Sequence, residues 1–245
     1  MIPKIIHYCW FGNNPLPQLA IKCINSWKQY FPEYEIKEWN ENNFDVNIIP
    51  YTKEAYKAKK YAFVSDYARF WILYNYGGLY FDTDVEFIKP IHDIIEHGNF
   101  MGCENQSGKQ IAVAPGLGIG SHSHHRFYKE ILKYYENIHF INNDGSYNQT
   151  TVVEYTTNLL LNKGLVNSSS IQNIDNIIIY PSEYFCPLDY QTSLLSITSN
   201  TRSIHHYCAS WQNKTQKLYK YIALIIGKDK AHKLAIFLKR NHIIK

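Results

Sequence analysis

Paired cysteines and long apolar runs are both missing from this sequence. The five cysteines are scattered and form no CxxC pair, which argues against a zinc knuckle and against a disulfide framework. No apolar run reaches the length of about 18 residues that spans a membrane, and the first residues lack the charged and then apolar order of a secretory signal. We therefore expect a protein that is made and kept in a reducing cytoplasm.

The sequence also lacks the tripeptide Gly-Lys-Ser/Thr that completes a phosphate-binding P-loop. Residues 111–120, IAVAPGLGIG, are rich in glycine, but no such tripeptide follows them, so we exclude a P-loop there. Glycine lets the backbone come close to a ligand because it has no side chain. We predict a strand over this segment that can approach a sugar ring.

What the sequence does contain is a globular composition with many aromatic residues. Its 245 residues and 28.8 kDa suit one α/β domain with a helical appendage. The 21 tyrosines and 5 tryptophans supply amphipathic surfaces that can stack on sugars and bases. Most of them are expected in the core or on the general surface.

The central block, residues 61–90, carries the densest functional pattern. A helix capped by Ser65 is predicted to end at Gly77-Gly78, and a short buried strand then leads to Asp82-Thr83-Asp84. Two carboxylates at this spacing can hold Mg²⁺ or Mn²⁺ against an anionic substrate. The alternative is an ordinary turn that contains aspartate.

Asp66 and Arg69 lie three residues apart in the same predicted helix, so they share one face near its start. With the two carboxylates that follow the strand, they would present a guanidinium and several acceptors to a common region. A sugar joined to a diphosphate requires such a set. The alternative is an exposed helix salt bridge.

The first forty residues predict a strand over 3–10, a helix over 16–31 and a strand over 34–39. This βαβ pattern gives parallel strands, and ligands bind at the carboxyl ends of such strands. Trp10 and Asn40 stand at those ends. Trp10 could stack on a nucleobase or close the core, and Asn40 could contact a nucleoside or hold a turn.

The remaining patterns give a coarse outline of the later chain. They predict a short helix over 53–59, strands over 85–88, 99–104 and 177–180, and helices over 126–135 and 147–161. His122, His124 and His125 cluster before the helix at 126–135. Because no cysteine or carboxylate stands in register with them, a solvated turn is the default interpretation and a metal site the alternative.

The string SDYAR, followed by GGLYFDTDV, resembles glycosyltransferase family 32 and the glucosylating domains of the large clostridial toxins. The match covers about thirty residues, and the opening IPKIIHYCWFG and the late segment SIHHYCASW extend it. The resemblance implies a GT-A type α/β fold. This fold has a Rossmann-like, mostly parallel sheet with helices on both faces, here with a helical C-terminal extension.

The resemblance also implies catalytic and metal-binding roles. Asp84 and His206 would coordinate Mn²⁺ or Mg²⁺, and Asp82 would do so directly or through water and the ribose. Asp66 would accept hydrogen bonds from sugar hydroxyls, and Arg69 would bind sugar or phosphate. The choice of His206 over His205 follows from the resemblance alone.

Nucleotide-sugar contacts are implied at both ends of the chain. Trp10 would stack on the base, while Ser210 and Trp211 would contact the β-phosphate through the hydroxyl and the indole N–H. Asn40 adds a candidate nucleoside contact from its place after the second strand. These residues complete the predicted donor site.

The predicted function is metal-dependent transfer of a hexose, with retention, from a nucleotide sugar to a hydroxyl. A UDP-sugar is favoured over a GDP-sugar, and the acceptor is a capsular or surface polysaccharide or a lipid-linked oligosaccharide. No carboxylate nucleophile can be named, so front-face attack is the default hypothesis. The alternatives are a non-catalytic module that binds sugar nucleotides or glycans, and a metal-dependent phosphoesterase, which usually needs a second metal.

Charge separates the predicted catalytic domain, residues 1–213, from the tail, residues 214–245. The tail holds nine of the 25 Lys/Arg and one of the 21 acidic residues, so it carries +8 and the rest of the chain −4. Two basic amphipathic helices about Gly227 are predicted. They favour an anionic membrane surface over nucleic acid as partner, which predicts a peripheral position on the inner face of the cell membrane. The alternative is a packed helix pair with a solvated basic face.

Overall fold

A seven-stranded sheet carries the architecture. The computed structural model describes residues 1–104, 110–190 and 194–207. Within these ranges the strands are β1 (Ile5–Cys9), β2 (Glu35–Trp39), β3 (Gly78–Tyr80), β4 (Val85–Phe87), β5 (Phe100–Gly102), β6 (Ile119–Ser121), β7 (Gln172–Ile174), β8 (Ile177–Tyr180) and β9 (Ser203–His205). The large sheet has the order β2-β1-β3-β6-β5-β8-β7, and β4 pairs with β9 in a separate two-stranded ribbon.

Five of the seven strands in the large sheet point the same way. β1 is parallel to β2 and β3, β6 is antiparallel to β3 and β5, and β8 is parallel to β5. β7 is antiparallel to β8. The mostly parallel α/β sheet predicted from the sequence is confirmed. The carboxyl ends of β1, β2, β3, β5 and β8 therefore share one edge.

The helices lie between the strands along the chain. They are α1 (Gln18–Tyr30), α2 (Pro50–Lys57), α3 (Tyr61–Tyr76), α4 (His92–Glu96), α5 (Arg126–Glu136), α6 (Val152–Asn162) and α7 (Ser182–Phe185). Successive residues of a strand point to opposite faces of the sheet. On β3, Leu79 accordingly packs in one core cluster with Trp27 of α1, and Tyr80 packs in another with Phe70 of α3. Both faces of the sheet are thus covered.

Helix α3 begins earlier than the sequence predicted. It starts at Tyr61, and Ser65 lies inside it with its hydroxyl donating to the Tyr61 carbonyl at 3.2 Å instead of capping the helix. The predicted end is confirmed: Gly77 is the C-cap with φ +64, a backbone that favours glycine. A Cβ at Gly77 would also lie 2.8 Å from the Ser123 backbone nitrogen.

Two predicted elements are shorter than expected. Of the strand predicted over 111–120, the structure keeps β6, and an isolated bridge joins Cys103 to Val113. The helix predicted over 147–161 begins at Val152, because the Thr151 side chain caps it by accepting from the Glu154 amide.

The two-stranded ribbon is fastened to α1. The Trp27 indole donates to the Val85 carbonyl at 2.8 Å, and the Ser26 hydroxyl accepts from the Phe87 amide at 2.9 Å. These bonds fix β4, and β4 in turn pairs with β9 through the register Val85 to His205. The late segment of the chain is thereby brought beside the residues that follow β3.

The described part of the chain forms one compact unit, Met1–Tyr207. The helices predicted over 214–245, and with them the domain limit at residue 213, lie outside the described residues. Among the residues that are described, no helix combines the length and apolarity that a membrane crossing needs.

Candidate active site

The candidate site lies on the edge of the sheet where the parallel strands end. Trp10 follows β1, Asn40 follows β2 and Asp82 closely follows β3, and these three strands are neighbours in the order β2-β1-β3. Open α/β sheets bind ligands at this edge. The strand order therefore gathers three positions that are far apart in the sequence.

A buried guanidinium joins two carboxylates of the site. Arg69 Nη2 lies 3.0 Å from Asp66 Oδ1 and 3.3 Å from Asp82 Oδ1. The Arg69 side chain is 4% exposed, whereas that of Asp82 is 33% exposed. An exposed helix salt bridge, the alternative for Asp66 and Arg69, does not describe such a buried pair. We call Asp66, Arg69 and Asp82 the arginine cluster.

Two further residues position Asp82, one through its carboxylate and one through its backbone. The Tyr80 hydroxyl donates to Asp82 Oδ1 at 3.0 Å, and the Arg69 guanidinium lies 5.1 Å from the centre of the Tyr80 ring. Gly116 accepts from the Asp82 amide at 2.9 Å. A Cβ at Gly116 would overlap Asp82 Oδ2 and lie 2.8 Å from its Cγ. The glycine-rich segment thus approaches Asp82 closely.

Burial and neighbouring charges shift the pKa values of Asp66 and Arg69 in the arginine cluster. It raises the pKa of the Asp66 carboxyl to about 7, because desolvation outweighs the attraction of Arg69, and the Asp82 charge adds to the rise. Burial also opposes the charge on Arg69, but Asp82, Tyr80 and Asp66 together hold its pKa above the ordinary value. Arg69 is therefore charged, and Asp66 exchanges a proton near neutral pH.

A second pair, Asp84 and His205, faces across the ribbon. Asp84 Oδ1 lies 3.2 Å from His205 Nε2, and their side chains are 15% and 13% exposed. Burial alone would lower the pKa of His205, but the Asp84 carboxylate reverses this and raises it well above the usual range. The two groups form an ion pair. A metal cation binds neutral imidazole, so it would replace the imidazole proton. We call these residues the ribbon pair.

His206, the metal ligand implied by the family resemblance, points elsewhere. Its Nε2 lies 2.7 Å from Glu86 Oε2, which also accepts from Lys22 Nζ at 2.8 Å. Successive side chains of an extended segment point to opposite sides, so the imidazoles of His205 and His206 diverge. The structure brings His205 to Asp84 and leaves His206 on Glu86. His205 is therefore the histidine that the structure pairs with Asp84, while a ligand role for His206 stays a prediction of the family resemblance.

The chemistry of the ribbon pair fits a divalent cation in part. Carboxylate oxygen and imidazole nitrogen are both ligands of Mn²⁺. Within residues 1–104, 110–190 and 194–207, however, no group of three His, Cys, Asp or Glu could hold a metal by itself. Asp84 and His205 are thus an incomplete set, and Mn²⁺ or Mg²⁺ commonly takes its remaining ligands from substrate phosphates and water.

The N-terminal predictions find different partners. The Trp10 indole N–H donates to the Asn14 carbonyl at 2.6 Å, which leaves ring stacking as the contact available to a base. The side-chain amide of Asn40 donates to Glu38 Oε1 at 2.8 Å, and Asn40 Oδ1 accepts from the backbone N–H of Asn42 at 2.9 Å. The turn interpretation therefore accounts for Asn40 without a nucleoside.

Two of the three histidines after β6 have structural contacts. His125 caps α5, since its Nδ1 accepts from the Phe127 amide at 3.3 Å. The His124 ring packs edge-on against Tyr74, with ring centres 5.1 Å apart. These contacts agree with the default interpretation of a turn before a helix.

Two predicted site residues lie outside the described part of the chain, and two residues of the observed site were not predicted. Ser210 and Trp211 fall outside the described residues. Sequence reasoning did not single out Tyr80 or Gly116, although the glycine-rich composition around Gly116 pointed to a close approach. Nothing in the sequence alone distinguishes His205 from its neighbour.

Comparisons with known proteins find a family match and relatives that cover part of the chain. Residues 17–101 match the model of the family described as the glycosyltransferase sugar-binding region containing a DXD motif. The chain is 29% identical over 111 residues to inositol phosphoceramide mannosyltransferase 3 of Schizosaccharomyces pombe, covering 44% of this chain and 31% of that protein. It therefore spans about a third of the length of that relative.

Two further similarities cover more of the chain. It is 28% identical over 197 residues to the uncharacterized glycosyltransferase L373 of Acanthamoeba polyphaga mimivirus, covering 76% of this chain and 74% of that protein. Among solved structures, the PaToxG glycosyltransferase aligns with a TM-score of 0.49 and 18% identity, over 66% of this chain and 70% of that one.

Proposed function

From the match of residues 17–101 to the glycosyltransferase sugar-binding region containing a DXD motif, we propose that this chain transfers a hexose from a nucleotide sugar to a hydroxyl. One observation carries the proposal: the arginine cluster and the ribbon pair are joined through Asp82 and Asp84, two residues apart at the edge of the sheet. The cluster offers acceptors for sugar hydroxyls. The ribbon pair offers ligands for a cation on a diphosphate.

The residues divide the work of transfer between them. Asp84 and His205 would hold Mn²⁺ or Mg²⁺, with Asp82 joining directly or through water. A cation held there would stabilise the negative charge that develops on the departing nucleoside diphosphate. Asp66 would accept from sugar hydroxyls. Because Arg69 is almost fully buried, its proposed role is to orient the carboxylates of Asp66 and Asp82.

The donor nucleotide would extend from these carboxylates along the sheet edge. Trp10 would stack on the base, and Ser210 with Trp211 would contact the β-phosphate, as the family resemblance implies. UDP-sugars come first in the proposal and GDP-sugars second. Because a relative is named a mannosyltransferase, mannose belongs among the sugars tested.

The acceptor is proposed to be a surface polysaccharide, such as a capsule, or a lipid-linked glycan. The same relative is named for inositol phosphoceramide, which is a lipid, and the basic residues of 214–245 suit an anionic membrane surface. We place the enzyme in the cytoplasm, at the inner face of the membrane. Retention by front-face attack remains the stereochemical proposal.

A donor panel tests this function. Purified protein is incubated with UDP- and GDP-hexoses and Mn²⁺, with and without EDTA, and the nucleotide and sugar products are identified by mass spectrometry. We expect a nucleoside diphosphate that disappears with EDTA and with Asp84→Asn. Wild-type turnover in that variant would overturn the metal role.

The same panel separates the two competing functions. Free phosphate as product would favour a phosphoesterase. Tight binding of a sugar nucleotide without turnover, in the presence of a glycan acceptor mixture, would favour a non-catalytic binding module. Either result would contradict the proposed transfer.

A further inference from the structure

Tyr207, two residues beyond His205, has an unusual backbone. Its φ is +49°, in the left-handed region that non-glycine residues adopt rarely. Such a conformation is strained for a residue other than glycine and persists where surrounding contacts impose it. The contacts of the Tyr207 side chain should therefore explain why the chain turns in this way.

The Tyr207 ring packs against two other rings. Its centre is 4.2 Å from that of His205 and 4.9 Å from that of Tyr190. Its hydroxyl lies 2.9 Å from Cys186 Sγ, and Cys186 is fully buried. The ring is thus held at its tip by Cys186 and contacts both the imidazole of His205 and the ring of Tyr190.

The anchor at Cys186 is itself well supported. The Cys186 amide donates to the Ser182 carbonyl at 2.7 Å, which closes α7. The Arg202 amide, just before β9, donates to the Tyr184 carbonyl at 2.7 Å. Helix α7 is therefore bonded to the residue before β9, and the Tyr207 hydroxyl contacts Cys186 at the end of this helix.

His205 needs a restraint of this kind. In most histidine metal ligands the second ring nitrogen donates a hydrogen bond that fixes the ring. His205 Nδ1 is buried and has no hydrogen-bond partner in the part of the chain that the structure describes. The thiol of Cys186 also acts on His205, but a thiol is a weak hydrogen-bonding group. Packing must then do most of the orientation.

We propose that Tyr207 is a positioning residue for the cation site, and that its ring holds the imidazole of His205 with Nε2 toward Asp84. The inference rests on the proposed function, because it assumes that Asp84 and His205 bind a cation. Tyr207 would touch neither the cation nor the substrate. Its left-handed backbone places the ring where it blocks rotation of the imidazole.

Binding of Mn²⁺ alone, measured by electron paramagnetic resonance of free manganese, tests the proposal. Tyr207→Asn removes the ring and suits the left-handed backbone, since asparagine adopts it readily. We expect this variant to bind Mn²⁺ about tenfold more weakly. Tyr207→Phe, which keeps the ring, should stay within about threefold of the wild type. Circular dichroism confirms that each variant is folded.

A double-variant cycle shows whether Tyr207 acts through His205. In a His205→Ala background, Tyr207→Asn should weaken Mn²⁺ binding no further. Tyr190→Leu, which removes one contact of the Tyr207 ring and keeps the ring itself, should weaken Mn²⁺ binding less than Tyr207→Asn does. An additive effect in the double variant would overturn the positioning role.

The outcomes distinguish this inference from the proposed function. If the wild type binds no Mn²⁺ either alone or with UDP present, the cation role of the ribbon pair fails and the positioning role fails with it. If the wild type and Tyr207→Asn bind Mn²⁺ equally, only the positioning role fails. If Tyr207→Phe binds as weakly as Tyr207→Asn, the bond from the hydroxyl to Cys186, and not the ring, is responsible.

Discussion

The arginine cluster and the ribbon pair are built differently although they share the site. The cluster comes from one helix and the strand after it, and its carboxylates already have a buried cation as partner. The ribbon pair joins Asp84 to His205, which arrives from far along the chain, and one imidazole nitrogen has no partner in the described ranges. The cluster is complete without a ligand. Under the proposed function, a cation with further ligands from substrate and water would complete the ribbon pair.

This difference predicts which property each region controls. Removing one member of a buried ion pair leaves an uncompensated charge, which is strongly destabilising. The ribbon pair is an ion pair as well, and the loss of one of its members should in addition weaken the binding of the proposed cation. Variants in the cluster should therefore act mainly through stability, whereas variants in the ribbon pair should lower activity beyond any loss of stability.

Arg69→Met should produce the largest effect. It leaves Asp66 and Asp82 beside each other without their cation, so we expect the free energy of unfolding to fall by about 3–5 kcal/mol. Urea unfolding followed by circular dichroism measures it. Arg126→Met is the matched control, because Arg126 is 81% exposed in its pair with Glu130 and should matter by less than about 0.5 kcal/mol. Equal losses in both variants would contradict the distinction.

The cluster shows what sequence alone could supply. Helix α3, Gly77 and the strand before Asp82 follow from local patterns, and β8 was predicted with the bounds it has. The resemblance to DXD glycosyltransferases is confirmed by the family match over residues 17–101. Interactions within about twenty residues leave a periodic record in the sequence, and these were recovered.

The ribbon pair shows what sequence could not supply. Which of two adjacent histidines faces Asp84 depends on the register of β9 against β4, and two consecutive imidazoles fit either register. The start of α3 was missed for a similar reason, since Ser65 can cap a helix or bond within one. The depth at which Arg69 is buried depends on packing between distant elements.

His205→Ala tests the ribbon pair directly. We expect turnover of the folded variant to fall about 10²-fold, because one of two proposed protein ligands is lost. His206→Ala is the matched control on the neighbouring residue. Since His206 contacts Glu86 on the other side, its removal should lower turnover less than about threefold. The reverse ranking in steady-state rates would return the ligand role to His206.

The protonation of Asp66 should make the stability of the arginine cluster depend on pH. Burial raises the pKa of Asp66 from 3.8 to about 7 in the folded protein, so the folded state keeps a proton that the unfolded chain releases. Its contribution to stability is full below about pH 3.8 and is lost as the pH rises through about 7. Relative to Asp66→Asn, the unfolding free energy of the wild type should fall by about 2 kcal/mol between about pH 5 and pH 7. Parallel pH curves from urea unfolding would show that Asp66 is already ionised at about pH 5.

Gly116→Ala probes the point where the two regions meet, and its expected effect is the smallest. The added methyl group would overlap Asp82 Oδ2, so the carboxylate must move while Arg69 and Asp84 stay in place. A displacement of less than about 1 Å should lower turnover about tenfold and leave stability nearly unchanged. Ala114→Gly, in the same segment, adds no atom and serves as the control for loop stiffness. If Gly116→Ala instead lowered the free energy of unfolding as much as Arg69→Met, the position of Asp82 would be needed mainly for folding. Asp84 would then be the first residue of the site that acts mainly on the ligand.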